Sequence, residues 1–151
     1  MIVFKASFFY TRFSISLKRR SIPVGQKSYM IITNNPLVSD KLHETHKVVY
    51  KEASYEELLA EVRDRIHEGH ILLTHPLSGS VKPNETPYKS VLISSGKGEI
   101  DERSLSMIEN AIQACRKFED KTGRYGARVL EDFQLIDWTL LESGLASADA
   151  W

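Results

Sequence analysis

Met30-Ile31-Ile32, Ile71-Leu72-Leu73 and Val91-Leu92-Ile93 are each apolar at every position. A strand with one wetted face alternates apolar and polar residues, so strands without alternation need cover on both faces. Each run is short and closed by turn-forming or hydroxyl residues: Thr33-Asn34-Asn35-Pro36 after the first, Thr74 after the second, Ser94-Ser95-Gly96 after the third. Lys47-Val48-Val49-Tyr50-Lys51 is a further strand candidate, rich in β-branched residues.

The cover is also legible. Pro36 can open a short helix reaching about Leu42. Ser54 stands three residues before Glu57, the spacing of a capping box, and Tyr55, Leu58, Leu59, Val62 and Ile66 follow at helical spacing up to Gly69. Asp101 and Glu102 suit the positive end of a second helix, whose stripe is Leu105, Ile108, Ile112, Cys115 and Phe118. A last helix carries Val129, Leu130, Phe133, Ile136, Leu140 and Leu141. Taken together, the order predicts an α/β, three-layer domain with a mainly parallel four-stranded sheet flanked by helices. Residues 30–145 form this single domain, and 146–151 read as a tail.

The net charge of zero is a cancellation. Residues 1–29 hold six Lys or Arg and no acid, so residues 30–151 are net acidic. Lys5 and Arg12 interrupt the leader's apolar run, and its Lys18-Arg19-Arg20 cluster follows that run, the reverse of a secretory signal. No stretch approaches the roughly 20 apolar residues of a membrane helix. The leader reads as a basic extension, upstream sequence translated from an early start codon, with a functional leader, since its acid-free Arg, Ser and Phe content resembles a transit peptide, as the alternative. Six charges without a basic partner domain do not describe a nucleic-acid arm. The lone Cys115, on an apolar stripe, excludes an internal disulfide and reads as a buried inert thiol.

Ligands of open α/β sheets bind beyond the carboxyl ends of the strands. With parallel strands, three loops would converge there: the one with Thr33, Asn34 and Asn35, the long one from Thr74 to Tyr88, and Ser94–Gly98. The middle loop exceeds ordinary connection length, and its prolines stiffen it. Its His75, Ser78, Gly79, Ser80, Lys82, Asn84 and Glu85 suit a small polar or anionic ligand, with His75 as a candidate general base and Ser78 or Ser80 as its nucleophile. A purely structural reading makes the loop a stiff cover, with Asn84 and Glu85 capping turns. Ser94-Ser95-Gly96-Lys97-Gly98 lacks the first glycine and the hydroxyl residue of a phosphate-binding loop. No dinucleotide fingerprint is present, and His67 and His70, three apart, lack the companions of a metal site, so no cofactor or metal is expected.

Ile31-Ile32-Thr33-Asn34-Asn35-Pro36-Leu37-Val38, the segment from His67 to Lys89 with its proline-bracketed loop, and Val129-Leu130-Glu131-Asp132-Phe133-Gln134-Leu135-Ile136-Asp137 resemble the GrdX family. These are small bacterial proteins encoded beside the glycine, sarcosine and betaine reductase components of amino-acid-fermenting anaerobes. The resemblance covers about residues 30–145 and leaves the leader outside. It implies a cytoplasmic context and reductase components as partners. It carries over no catalytic residues, and the chain has neither a selenocysteine nor a reactive dithiol with which to perform the reduction.

Three functions follow. The first is an accessory protein that binds a small polar or anionic metabolite, or a reductase component, at the sheet edge. The second is a small hydrolase or transferase with His75 as base. The third is an assembly factor that uses the last helix as its interface.

Overall fold

The computed structural model describes residues 27–79 and 81–150. Residues 1–26 of the leader, the candidate Ser80 and Trp151 lie outside the described residues. The elements are β1 (Tyr29–Thr33), α1 (Pro36–Leu42), β2 (Val48–Tyr50), α2 (Tyr55–His67), β3 (Ser90–Ser94), α3 (Glu102–Cys115) and α4 (Ala127–Ala148).

The helix starts are set by local chemistry. The Asn35 side chain accepts from Leu37 N ahead of Pro36 in α1. Ser54 and Glu57 form a reciprocal capping box on α2. Asp101 accepts from Ser104 N at α3. α4 begins after Gly126 without a side-chain cap. At its far end α4 buries Leu145 and continues to Ala148, so the helix runs three residues into the stretch that reads as a tail.

The sheet corrects the expected architecture. It is small, mixed and three-stranded, in the order β2-β1-β3, rather than mainly parallel and four-stranded. β1 and β2 are parallel, with Ile31 opposite Val48. β1 and β3 are antiparallel, with Tyr29 opposite Ser94 and Thr33 opposite Ser90. The apolar run at residues 71–74 touches β3 only through an isolated antiparallel bridge, Leu72 to Ile93.

Hydroxyl groups explain why this run is not a full strand. Two ladder bonds form, Leu73 N to Leu92 O at 2.9 Å and Ser94 N to Ile71 O at 2.8 Å. The other amides go to side chains: Ile71 N to Ser94 Oγ, Leu72 N to Ser104 Oγ and Leu92 N to Thr74 Oγ1. The direction of β3 has an equally simple cause. A parallel neighbour needs a long crossover, usually helical. The chain instead turns back through the loop at 74–89 and enters β3 from the pole that the 71–74 run has just left.

Helices cover both faces, and β1 is buried along its whole length. Met30 and Ile32 pack with Leu58, Leu59, Val62 and Ile66 of α2 and with Ile108 and Ile112 of α3. Tyr29 and Ile31 pack on the other side with Val38 and Leu42 of α1 and Leu141 and Leu145 of α4. Each fully buried Ile or Leu contributes roughly 1.5–3 kcal/mol of transfer free energy. The run-on apolar pattern of β1 is what lets one strand serve two cores.

Candidate functional site

The antiparallel β3 divides the expected binding edge. Thr33, Asn34 and Asn35 share the carboxyl pole of β1 with the 74–89 loop, whereas Ser94–Gly98 lies at the opposite pole beside Tyr29. There Ser95 N donates to Ser28 O, and the exposed Lys97 pairs with Glu68 at 3.1 Å. His70 is tied to the same pole, its Nδ1 bonded to Ser94 O at 2.7 Å.

At the carboxyl pole the polar residues are buried and mutually satisfied. Asp137 of α4 accepts from Ser90 N at 3.1 Å, Ser90 Oγ at 2.7 Å and Asn35 Nδ2 at 3.0 Å. With the Ser90 proton committed to Asp137, the 2.7 Å contact between Thr33 Oγ1 and Ser90 Oγ has Thr33 as its donor. Thr33 Oγ1 accepts in turn from Asn35 N. Asn34 holds three segments together, donating to Ala53 O and Pro87 O and accepting from Lys89 N at 2.8 Å. Thr33, Asn34 and Asn35 are therefore saturated by the fold itself.

The loop residues separate into different roles. Gly79 has φ +119°, and an added Cβ would lie 3.1 Å from Leu140 Cδ2, so the loop presses here against α4. Asn84, at φ 67°, donates to Cys115 O and Phe118 O and so caps the end of α3. Glu85 and Lys82 are exposed; Glu85 contributes its carbonyl to Tyr125 Oη, and the Lys82 ammonium lies 5.7 Å from the centre of the Phe118 ring. The Ser78 hydroxyl meets Lys89 rather than the His75 ring, as Lys89 Nζ donates to Ser78 O at 2.6 Å and to Ser78 Oγ at 3.0 Å, while Ser78 N donates to His75 O at 3.1 Å. Cys115 is buried, and burial pushes its thiol up to about 11.

His75 faces elsewhere. Its Nδ1 accepts from Leu77 N at 3.0 Å, which leaves the proton of the neutral ring on Nε2. Burial holds the imidazole below its usual range, and the charge of Lys89 acts in the same direction. The ring lines a cavity of about 510 Å³ between Leu77 and one face of α3 formed by Arg103, Ser106, Met107, Asn110, Ala111 and Ala114.

Residues 30–146 match the family described as GrdX-like protein. The chain belongs to the GrdX-like family. A search of the curated proteins and of the solved structures returns no match.

In this GrdX-like fold, Thr33, Asn34 and Asn35 stand apart from His75 in role: the former close the core, and the latter faces a cavity. Sequence reasoning missed Lys89, Ser90 and Asp137, and the polar residues of α3 that face His75. One signal was available. Asp137 lies four residues before Leu141 and eight before Leu145, so it is an acid on a buried helical stripe. The α3 face had none, because Ser106 and Asn110 read as ordinary solvated positions. Among the described residues, no group of three or more His, Cys, Asp or Glu side chains could hold a metal ion, and no helix is long and apolar enough to cross a membrane.

Proposed function

We propose that this chain is an accessory protein of a glycine reductase-type system that binds a small polar or anionic molecule in the cavity beside His75. Membership in the GrdX-like family supports the accessory role. The observation that carries the binding role is the cavity's composition. An imidazole N–H, a guanidinium, a hydroxyl and a carboxamide line it, together with the apolar surface of Leu77, Met107 and two alanines. A concave apolar wall with a few converging polar groups is the usual form of a small-ligand site. The His75 geometry suits recognition better than general-base catalysis: Nδ1 is occupied, and Nε2 presents a donor.

A thermal-shift screen of the full chain tests this, using phosphate, acetyl phosphate, glycine, sarcosine and betaine. A ligand of the native state raises the midpoint with its concentration. The expected result is a shift with one class of these compounds that is lost in His75→Leu and Asn110→Ala. A shift that survives both substitutions removes the cavity from the reading.

One observation favours a protein partner as the second reading. Val129 and Ile136 of α4 are exposed, 41% and 47%, and stand seven residues apart on one helical stripe, with Leu135 also exposed at 54%. Light scattering of the chain mixed with purified reductase components would detect a complex. Ile136→Asp should dissolve it while leaving the fold intact.

A further inference from the structure

Lys89 is the most unusual buried group in the described chain. Only 3% of its surface is exposed, and it forms no ion pair within 4.0 Å among the described residues. Lysine is rarely buried to this extent without a paired carboxylate, because the ammonium loses its hydration. Both side-chain hydrogen bonds of Lys89 go to one residue, to the carbonyl and the hydroxyl of Ser78. Nζ donates to the Ser78 carbonyl at 2.6 Å and lies 3.0 Å from the Ser78 hydroxyl oxygen, a distance at which an amine that has lost its proton can accept from that hydroxyl.

We propose that Ser78 and Lys89 form a serine–lysine nucleophile–base pair that accepts small acyl groups from activated esters. This inference rests on the Ser78–Lys89 contact and is independent of ligand binding at His75. Ser78 Oγ attacks the acyl carbonyl carbon as its proton passes to Lys89 Nζ. The tetrahedral intermediate collapses, the leaving oxygen takes the proton from Nζ, and the acyl group remains as an ester on Oγ. Water attacks that ester next, gives one proton to Nζ and releases the carboxylic acid; Ser78 Oγ leaves and recovers its proton from Nζ.

Two features of the site suit this chemistry. Burial lowers the Lys89 ammonium from its ordinary value of 10.5 to about 8, so a useful fraction is an uncharged base near neutral pH. Two other titratable groups face it: Asp137 of α4, whose charge opposes that shift, and His75 of the loop. Ser78 keeps 8% of its surface, and Gly79 beside it is exposed and has no side chain, so the serine lies at the protein surface while its lysine partner is buried. The signal in the sequence was hidden because serine and lysine stand eleven residues apart on either side of an irregular loop.

The test is the full chain with p-nitrophenyl acetate, read by release of p-nitrophenol and by peptide mapping of the acetyl group. The expected result is an acetyl ester on Ser78 whose rate of formation rises with pH through a midpoint near 8. Ser78→Ala should abolish that adduct, and Lys89→Met should slow it by about 100-fold or more. Lys89→Arg, which keeps the charge and cannot act as a base, should be equally slow. No acetyl group on Ser78, acetylation of Lys89 itself, or a wild-type rate flat across pH 7–9 would each overturn the proposal, and these three readouts need no variant to fold.

Discussion

Helix α4 presents two aspartates to the same strand, one at each pole of β1. Asp137 is buried and accepts three hydrogen bonds from Ser90 and Asn35. Asp149, the residue that caps α4, accepts two, from Tyr29 Oη at 2.7 Å and Lys27 Nζ at 2.9 Å, with 40% of its side chain exposed. What separates the two is access of water rather than formal charge. Asp149 includes a formal ion pair, yet water competes for its partners, and exposed pairs contribute about 0–1 kcal/mol. Asp137 has no ion pair, but its donors have no access to solvent if it is removed. Buried donors left unpaired cost about 1–3 kcal/mol each.

The largest expected effect tests that contrast directly. Asp137→Ala should destabilise the chain by about 4 kcal/mol in urea unfolding, because Ser90 and Asn35 lose acceptors they cannot replace. A cost below that of Asp149→Ala would break the comparison.

The buried charge beside Asp137 gives the next effect. Lys89 titrates near 8 in the fold and near 10.5 when unfolded. Between those values the unfolded chain binds the proton that the folded chain has released, so stability must rise with pH. Relative to Lys89→Met, the wild type should gain about 3 kcal/mol from pH 7.5 to pH 11. A constant difference between the two across that range would show that the amine is hydrated in the fold.

At the amino pole, backbone does what side chains do at the other. Gly69 has φ +103°, its carbonyl accepts from Gly98 N at 2.9 Å, and an added Cβ would lie 2.2 Å from Gly98 O. Gly69→Ala should cost about 2 kcal/mol from the positive φ and the displaced contact, measured as a lowered Tm. The smallest effect belongs to Asp149. The Tyr29 hydroxyl is the chief group holding its carboxyl below the ordinary range. A depressed carboxylate stabilises the fold above its unfolded value and loses that contribution as pH falls through the folded one. Tyr29→Phe should therefore cost about 0.5 kcal/mol at pH 7, and the difference should close in acid, below the usual carboxylate range.

Much of this fold was legible because its signals are local. The capping box of Ser54 and Glu57, the Asn35-Pro36 start of α1 and the Asp101 cap each involve residues within three positions of one another. The apolar stripes of α2 and α3 and the uninterrupted burial of β1 follow from short periodicities in the same way. The run at 71–74 had the same apolar content and failed as a strand, because Ser94, Ser104 and Thr74 took its amides or those it would have paired with, one of them from 32 positions away.

The candidate site divides along the same line. His75 was visible as an imidazole following a buried run, and the cavity it faces required α3 to be folded over it. Thr33, Asn34 and Asn35 looked like ligand-binding groups, since amides and hydroxyls at a strand end are chemically fit for that task. Only the arrival of Ser90, Lys89 and Asp137 at the same pole showed their capacity already spent. Ser78 and Lys89 met because β3 runs antiparallel to β1, where the sequence had pointed to a mainly parallel sheet.

The sequence by itself determined the position of the four helices, the starts of the first three and the cover of β1 on both faces. These depend on contacts within a few residues, where chain entropy leaves little choice. The tertiary structure alone decided the direction of β3, the demotion of the 71–74 run and the identity of the buried polar partners. Those depend on hydrogen bonds between residues from 11 to 102 positions apart. Such bonds form only where the whole fold has excluded the water that would otherwise satisfy the same groups.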